Sequence, residues 1–328
     1  MTFWTGRRVV VTGGEGFIGS TLVDLLVESG ADVTVFAHYK PYGEQGFIAD
    51  HVQSGAVKVV AGDIRDHGQV QDVVAGADTV FHLAALIGIP YSYEAPDSYV
   101  HANVVGTHNV VAAARRHDTR RVVTTSTSEV YGTALTVPIS EDHPLQPQSP
   151  YSASKIGGDM MAMSYYLSFE TPVTIVRPFN TYGPRQSARA VIPAILQQLH
   201  SGAKEIKLGL LTPTRDFTYS TDTASGFMAA AEHDSALGQT LNLGTGREVS
   251  VGDLVSLLIK VSGKDAEIVQ DPARIRPEGS EVMRLLADNS RVRELTGWEP
   301  VVSLEEGLAR TSEWVAANVL SDAARYAV

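Results

Sequence analysis

The chain has 328 residues, 44% hydrophobic and 19% charged, and its 26 basic and 37 acidic side chains give a formal charge of −11. This is an ordinary globular composition, long enough for one α/β body with a smaller cap, and no apolar run approaches the roughly 20 residues needed to span a bilayer. The acidic balance argues against a nucleic-acid partner, and the lack of cysteine excludes disulfides, thiolate catalysis and zinc–thiolate sites.

Arg8-Val9-Val10-Val11-Thr12 is a β-branched run that ends at glycines, and Leu22, Val23, Leu25 and Leu26 follow at helical spacing before Gly30. A strand, a turn and a helix from Ser20 to Ser29 are expected. The apolar run after Arg7-Arg8 is too short for the core of an export signal, so a cytoplasmic protein is expected. Between strand and helix, Gly13, Gly16 and Gly19 give the freedom for a tight turn and for close approach of backbone to a pyrophosphate, with Phe17 and Ile18 in the same loop as further cofactor contacts. The spacing departs from Gly-x-Gly-x-x-Gly, but three glycines exceed what one tight turn needs.

A second strand is expected over Val33 to Phe36. The acidic residue that would hold a cofactor ribose belongs at its end, where Ala37 stands and has nothing to offer a hydroxyl. His38 and Lys40 are placed to approach a 2′-phosphate, which keeps NADP open beside NAD. Val57 to Val60 reads as a third strand, with Asp63 and Ile64 after it as adenine contacts. Thr79 to Leu83 reads as a fourth, and its His82 as a satisfied core histidine. Arg121 to Thr125 is a fifth strand, running into Ser126-Thr127-Ser128-Glu129-Val130-Tyr131-Gly132 at the C-terminal edge, where parallel sheets bind ligands.

In Ser149-Pro150-Tyr151-Ser152-Ala153-Ser154-Lys155, Tyr151 and Lys155 stand four residues apart and stack on one helix face. An ammonium beside the phenol favours the phenolate, which can take a hydroxyl proton while hydride leaves the same carbon for a nicotinamide. Val173 to Arg177 supplies a sixth strand. Strands alternating with helices predict a Rossmann-type, doubly wound parallel sheet. Residues 1–179 are expected to bind the dinucleotide. Residues 180–328 are expected to form mainly a smaller substrate-binding subdomain, with some segments returning to the first body. There a helix is expected near 190–201, a short strand at 206–208, a helix over 251–261, the stretch Arg274-Ile275-Arg276-Pro277, and a closing helix over 304–318. The ten histidines show no metal-ligand spacing.

The glycine loop, His82-Leu83-Ala84-Ala85, Asn103-Val104-Val105-Gly106-Thr107, the Tyr151/Lys155 pair and Arg177-Pro178-Phe179-Asn180-Thr181-Tyr182-Gly183-Pro184 together resemble the extended short-chain dehydrogenases/reductases that act on nucleotide sugars. Ser126-Thr127-Ser128-Glu129-Val130-Tyr131-Gly132 is similar both to nucleotide-uronate decarboxylases and to some hexosamine 4,6-dehydratases. Ala84 to Tyr93, Gly183 to Pro193 and Arg274 to Pro277 look most like the NAD-dependent 4,6-dehydratases of bacterial legionaminic acid synthesis.

The resemblance implies roles residue by residue. Leu83, Ala84, Ala85 and Asn103 would line NAD. Thr127 would hold the sugar 4-hydroxyl, Tyr151 take its proton, and Lys155 hold the phenolate and a ribose hydroxyl. Glu129 would then take the acidified C5 proton, water would leave, and hydride would return to C6. Asn180, Arg185, Arg189, Val191, Arg215 and Arg276 would bind the UDP- or GDP-linked hexose or N-acetylhexosamine, and a homodimer would form through a helix bundle that includes the Tyr151 helix. One departure bears on the reaction. Common hexose 4,6-dehydratases have Asp-Glu after this Thr, whereas here Ser128, a poor general acid, precedes Glu129. A UDP-glucuronate decarboxylase and a C4-epimerase therefore stay open, as does, from another class, a non-catalytic cofactor sensor.

Overall fold

The computed structural model describes residues 2–40, 43–271 and 281–318; Arg274, Ile275, Arg276 and Pro277 lie outside them. In the first half, β1 (Arg8–Thr12) leads into α1 (Phe17–Glu28), β2 (Asp32–His38), α2 (Ala49–Gln53), β3 (Val57–Gly62), α3 (His67–Val74), β4 (Thr79–His82), α4 (Ile89–Glu94) and α5 (Pro96–Tyr99). A π-helical stretch, Val100–Val105, joins α5 to α6 (Gly106–Arg116); then come β5 (Arg121–Thr125), α7 (Pro150–Phe169) and β6 (Val173–Pro178). The second half holds β7 (Asn180–Tyr182), α8 (Val191–His200), β8 (Glu205–Leu208), β9 (Thr214–Arg215), β10 (Phe217–Tyr219) and α9 (Ser220–Glu232). It continues with β11 (Thr240–Leu243), β12 (Val249–Ser250), α10 (Val251–Ser262), β13 (Glu267–Gln270), α11 (Ser290–Thr296) and α12 (Leu304–Asn318).

Seven strands form one parallel sheet in the order β11-β6-β5-β4-β1-β2-β3, the doubly wound arrangement expected from the alternating pattern. Both faces are covered, which is why the strands read as unbroken apolar runs. Val9 and Val11 point to one side, where Leu22, Val23 and Leu26 of α1 meet Phe227, Ala230 and Ala231 of α9. Val10 points to the other, among Val70 and Val74 of α3, Val110 and Val111 of α6 and Ala162 of α7. Removing each such Val, Leu or Phe side chain from water contributes about 1.5–3 kcal/mol. A third core joins α8, α10 and α12 through Ile195, Leu199, Leu254, Leu258, Leu308 and Val315.

In and beside the main sheet, α1 and one strand depart from the expected elements. α1 starts at Phe17, directly on the glycine loop, instead of near Ser20. The seventh strand, β11, is absent from the expected set: it has four residues, and its pattern is broken by Asn242. That side chain is wholly buried yet satisfied, accepting the Tyr131 hydroxyl at 2.7 Å and donating to the Ile139 carbonyl at 3.0 Å.

Candidate functional site

The sheet's C-terminal edge gathers the glycine loop after β1, the chain after β4, the loop after β5 and the start of α7. Gly13 has a φ of +70°, and its N–H donates to the Phe36 carbonyl at 3.0 Å. A Cβ on Gly13 would lie 2.9 Å from the Ala84 Cα and N, and one on Gly19 would lie 2.2 Å from the Gly13 carbonyl oxygen. A Cβ on Gly16 would touch only that oxygen, at 3.4 Å. The turn is closed tightly on itself, and α1 rises from it with no side-chain cap and no acidic residue in its first turn. The N–H groups around Phe17 and Ile18 are therefore available to an anion, as a pyrophosphate requires. Residues 46–48 sit over this loop: the Phe47 N–H donates to the Glu15 carbonyl at 3.3 Å. No sequence signal marked that cover.

At the edge of β2 and β3, Ala37 is buried and His38 exposed, its Nδ1 facing the Tyr39 carbonyl at 3.1 Å, while Lys40 is half-buried. Asp63, expected at adenine, is gripped by Arg65, whose Nε and Nη2 donate to its carboxylate at 2.9 and 2.5 Å. Those bonds hold the Asp63 carboxyl down at about 2. The Ile64 side chain points toward Gly106, where a Cβ would come within 3.1 Å of it. After β4, the Ala84 N–H donates to Thr12 Oγ1 at 3.1 Å, with Leu83 and Ala85 half-buried on either side. Asn103 has its carboxamide engaged: Oδ1 accepts the Leu86 N–H, and Nδ2 donates to the Leu86 carbonyl and Ser154 Oγ, all at 2.9 Å. Asn103 thus fastens the loop after β4 to α7. His82 is satisfied between Thr12 and Thr107 at 2.8 and 3.2 Å, and burial pushes its pKa down to about 3.

α7 begins where the sequence puts Ser-Pro. Ser149 Oγ accepts the Ser152 N–H, Ser152 Oγ accepts the Ser149 N–H, both at 3.1 Å, and Pro150 holds the first helical position. That reciprocal cap fixes Tyr151 in the first turn, beside the loop after β5. Thr127 and Glu129 both lie close enough to act on the Tyr151 phenol, Thr127 lowering its pKa and the Glu129 charge raising it. Thr127 Oγ1 also accepts the Glu129 N–H at 3.2 Å, which brings Thr127, Glu129 and Tyr151 into one cluster. Ser128 is buried at 3% exposure. Tyr99 packs edge-on against Tyr151 with ring centroids 6.2 Å apart.

Lys155 and Tyr151 share one helix face, but their electrostatics differ from the expected pattern. Burial dominates and pushes the phenol above its ordinary value, with the nearby Thr127 hydroxyl acting to lower it. Burial likewise pulls Lys155 down, to about 8, and its Nζ donates to the Thr125 carbonyl at 2.5 Å.

The residues expected at substrate are more dispersed. Asn180 opens β7, and its buried Oδ1 has no hydrogen-bond partner among the described residues. Arg185 reaches across to Asp24 of α1 at 2.7 Å. Arg189 is exposed, and Val191 starts α8. Arg215 is nearly buried, donating to the Thr214 carbonyl at 2.9 Å and to Glu281 at 3.4 Å. Among the described residues no cluster of metal-ligand type occurs and no helix is long and apolar enough to cross a membrane.

The family model described as GDP-mannose 4,6 dehydratase matches residues 10–311. The UDP-glucose 4-epimerase of Mycolicibacterium smegmatis is 34% identical over 313 residues, covering 94% of this chain and 98% of that protein. The dTDP-glucose 4,6-dehydratase of an Actinoplanes species is 32% identical over 318 residues, covering 95% and 98%. Among solved structures, the dTDP-glucose 4,6-dehydratase of Streptomyces venezuelae with NAD bound is 30% identical and superposes with a TM-score of 0.87 over 95% of this chain and 98% of that one. The UDP-glucuronic acid 4-epimerase of Bacillus cereus, with its sugar nucleotide and NAD, is 29% identical, with the same TM-score over 95% and 99%.

Proposed function

The chain belongs to the GDP-mannose 4,6-dehydratase family of nucleotide-sugar dehydratases and epimerases, and on that premise we propose that it is an NAD-dependent nucleotide-sugar 4,6-dehydratase. The tight cradle at Gly13, Gly16 and Gly19 and the open first turn of α1 suit the diphosphate of that cofactor. Bound nicotinamide supplies a reversible hydride acceptor. Thr127 orients the sugar 4-hydroxyl, Tyr151 takes its proton, and Lys155 carries the positive charge that steadies the phenolate. Asn180, whose buried Oδ1 seeks a donor, and Arg215, with its planar fork, contact the sugar nucleotide from the mainly substrate-binding part, 180–328.

The observation that carries dehydration over the alternatives is Glu129, held in the same turn as Thr127 and felt at Tyr151, where a base for the C5 proton is needed. Ser128, buried where a carboxylic acid would protonate the leaving hydroxyl, favours a second reading, C4-epimerisation, which needs neither acid nor base at C5. Product masses decide between them. The protein with NAD or NADP is to be incubated with UDP-, GDP- and dTDP-linked glucose, N-acetylglucosamine and glucuronate. Loss of one water supports the dehydratase, an unchanged mass with a new retention time the epimerase, and loss of carbon dioxide from glucuronate a decarboxylase. Glu129→Gln is expected to stop water loss while C4 oxidation, read as transient absorbance of the reduced nicotinamide, persists. Unchanged turnover would remove Glu129 from the mechanism.

α7 also supports a homodimer. Ala153, Met160 and Leu167 recur at seven-residue spacing along its outer face, and Met160 and Leu167 are 51% and 74% exposed. A helix stripe of that period fits a second copy of itself. Sedimentation equilibrium is expected to give twice the chain mass, and Met160→Glu with Leu167→Glu to give the chain mass; a wild-type monomer would refute the assembly.

A further inference from the structure

Asp159 extends the Tyr151/Lys155 pair by one more turn. At four-residue spacing the three side chains form a column on one face of α7, and their residues are buried at 7%, 6% and 3% exposure. Asp159 Oδ2 accepts Ser126 Oγ at 2.7 Å and Arg177 Nε and Nη2 at 3.1 and 2.9 Å. Arg177 Nη1 in turn donates to the Tyr131 hydroxyl at 2.9 Å. One buried carboxylate therefore binds the buried guanidinium of Arg177 of β6 and lies one turn of α7 from the buried Lys155, within reach of its charge. Through Ser126 it is also fastened to the loop that carries Thr127.

We propose that Asp159 is a positioning residue for the proton chemistry at Tyr151: it is the counter-ion that keeps Lys155 an ammonium one turn from the phenol, and Arg177 competes with Lys155 for its charge. A lone ammonium taken out of water is disfavoured strongly, so a buried lysine needs such a partner. Burial and Asp159 act on Lys155 in opposite directions. The other groups turned toward this column are accounted for. His82 of β4 is neutral, held by Thr12 and Thr107. Tyr99 of α5 packs on the Tyr151 ring, Glu129 acts on Tyr151, and Tyr131 is bound by Arg177 and Asn242.

This inference rests on the proposed role of the Tyr151/Lys155 pair, and its test needs no substrate. Lysine labelled with 13C at Cε gives seven signals in the full chain, and Lys155→Met identifies the one that titrates low. Asp159→Asn is expected to move the Lys155 midpoint down by about one pH unit or more, because an opposite charge has gone. Arg177→Met is expected to move it up, because Asp159 is then left to Lys155 alone. Asp159→Glu keeps the charge and restores the wild-type midpoint. Opposite shifts are the signature, since a residue that merely supports the fold gives no such pair. If Asp159→Asn does not fold, as circular dichroism would reveal, Arg177→Met and Asp159→Glu decide. Midpoints that stay put, or that move the same way in both variants, overturn the proposal. A failed product assay with opposite shifts would leave Asp159 assigned and retire the reaction instead.

Discussion

Tyr151→Phe is expected to lower kcat by at least about 10²- to 10⁴-fold, the usual contribution of a positioned acid–base group, with dinucleotide affinity nearly unchanged. The ring is 7% exposed and packed edge-on by Tyr99, so phenylalanine fills the same space. The change deletes one hydroxyl, and the neighbouring Thr127 still accepts the Glu129 N–H. Stability should move little, which separates lost chemistry from lost structure. Turnover, NAD titration and a thermal melt on the same preparation check the three parts. Activity within a few-fold of wild type would remove Tyr151 from the proton path and favour the cofactor-sensor reading.

Gly19→Ala is expected to weaken dinucleotide binding at least tenfold, about 1.4 kcal/mol, and to destabilise the fold by about 1–3 kcal/mol as an overpacked site does. The added methyl would stand 2.2 Å from the Gly13 carbonyl oxygen and 2.8 Å from the Gly14 Cα, and backbone atoms have no rotamer by which to retreat. The loop must open. Gly16→Ala is the informative companion: its φ is −82° and its methyl would meet only the Gly13 oxygen, at an ordinary 3.4 Å. Its stability should therefore hold. If its affinity falls as far as that of Gly19→Ala, the approaching diphosphate sets the need for glycine there; if it binds normally, the turn's own packing does. Isothermal titration with NAD and urea denaturation separate the cases. Wild-type binding by Gly19→Ala would contradict the cradle.

What the sequence disclosed follows from how local the determining physics is. The glycine loop, the Ser-Pro cap and the Tyr151/Lys155 spacing each act within a few residues, and the structure has them together at one sheet edge. The strands β1 to β6 were legible because both faces of the sheet are covered, which leaves apolar runs with sharp ends. β11 was not, because Asn242 in its middle breaks the apolar run. Arg185 was expected at substrate, yet it pairs with Asp24, 161 positions away, and no spacing rule reaches that far. The same holds for Asp159 and Arg177. Asp159 continues the four-residue step from Tyr151, but only the fold shows that the step ends on a guanidinium. Burial was equally invisible, and it is burial that sets the Tyr151 phenol above its ordinary range where spacing alone suggested it would be lowered.

The placement of β11 and α9 bears on biogenesis. β11 pairs with β6 at one edge of the seven-stranded sheet, and α9 covers α1 and the face behind β1, although they begin only at Thr240 and Ser220, well past the last strand of the first half, which ends at Pro178. A nascent chain that has exposed only its first 179 residues leaves the β6 edge unpaired and the Leu22 and Leu26 face open to solvent, a surface prone to self-association. The nucleotide-binding body closes only once residue 243 has cleared the ribosome. Until then the apolar face that α9 covers stays open.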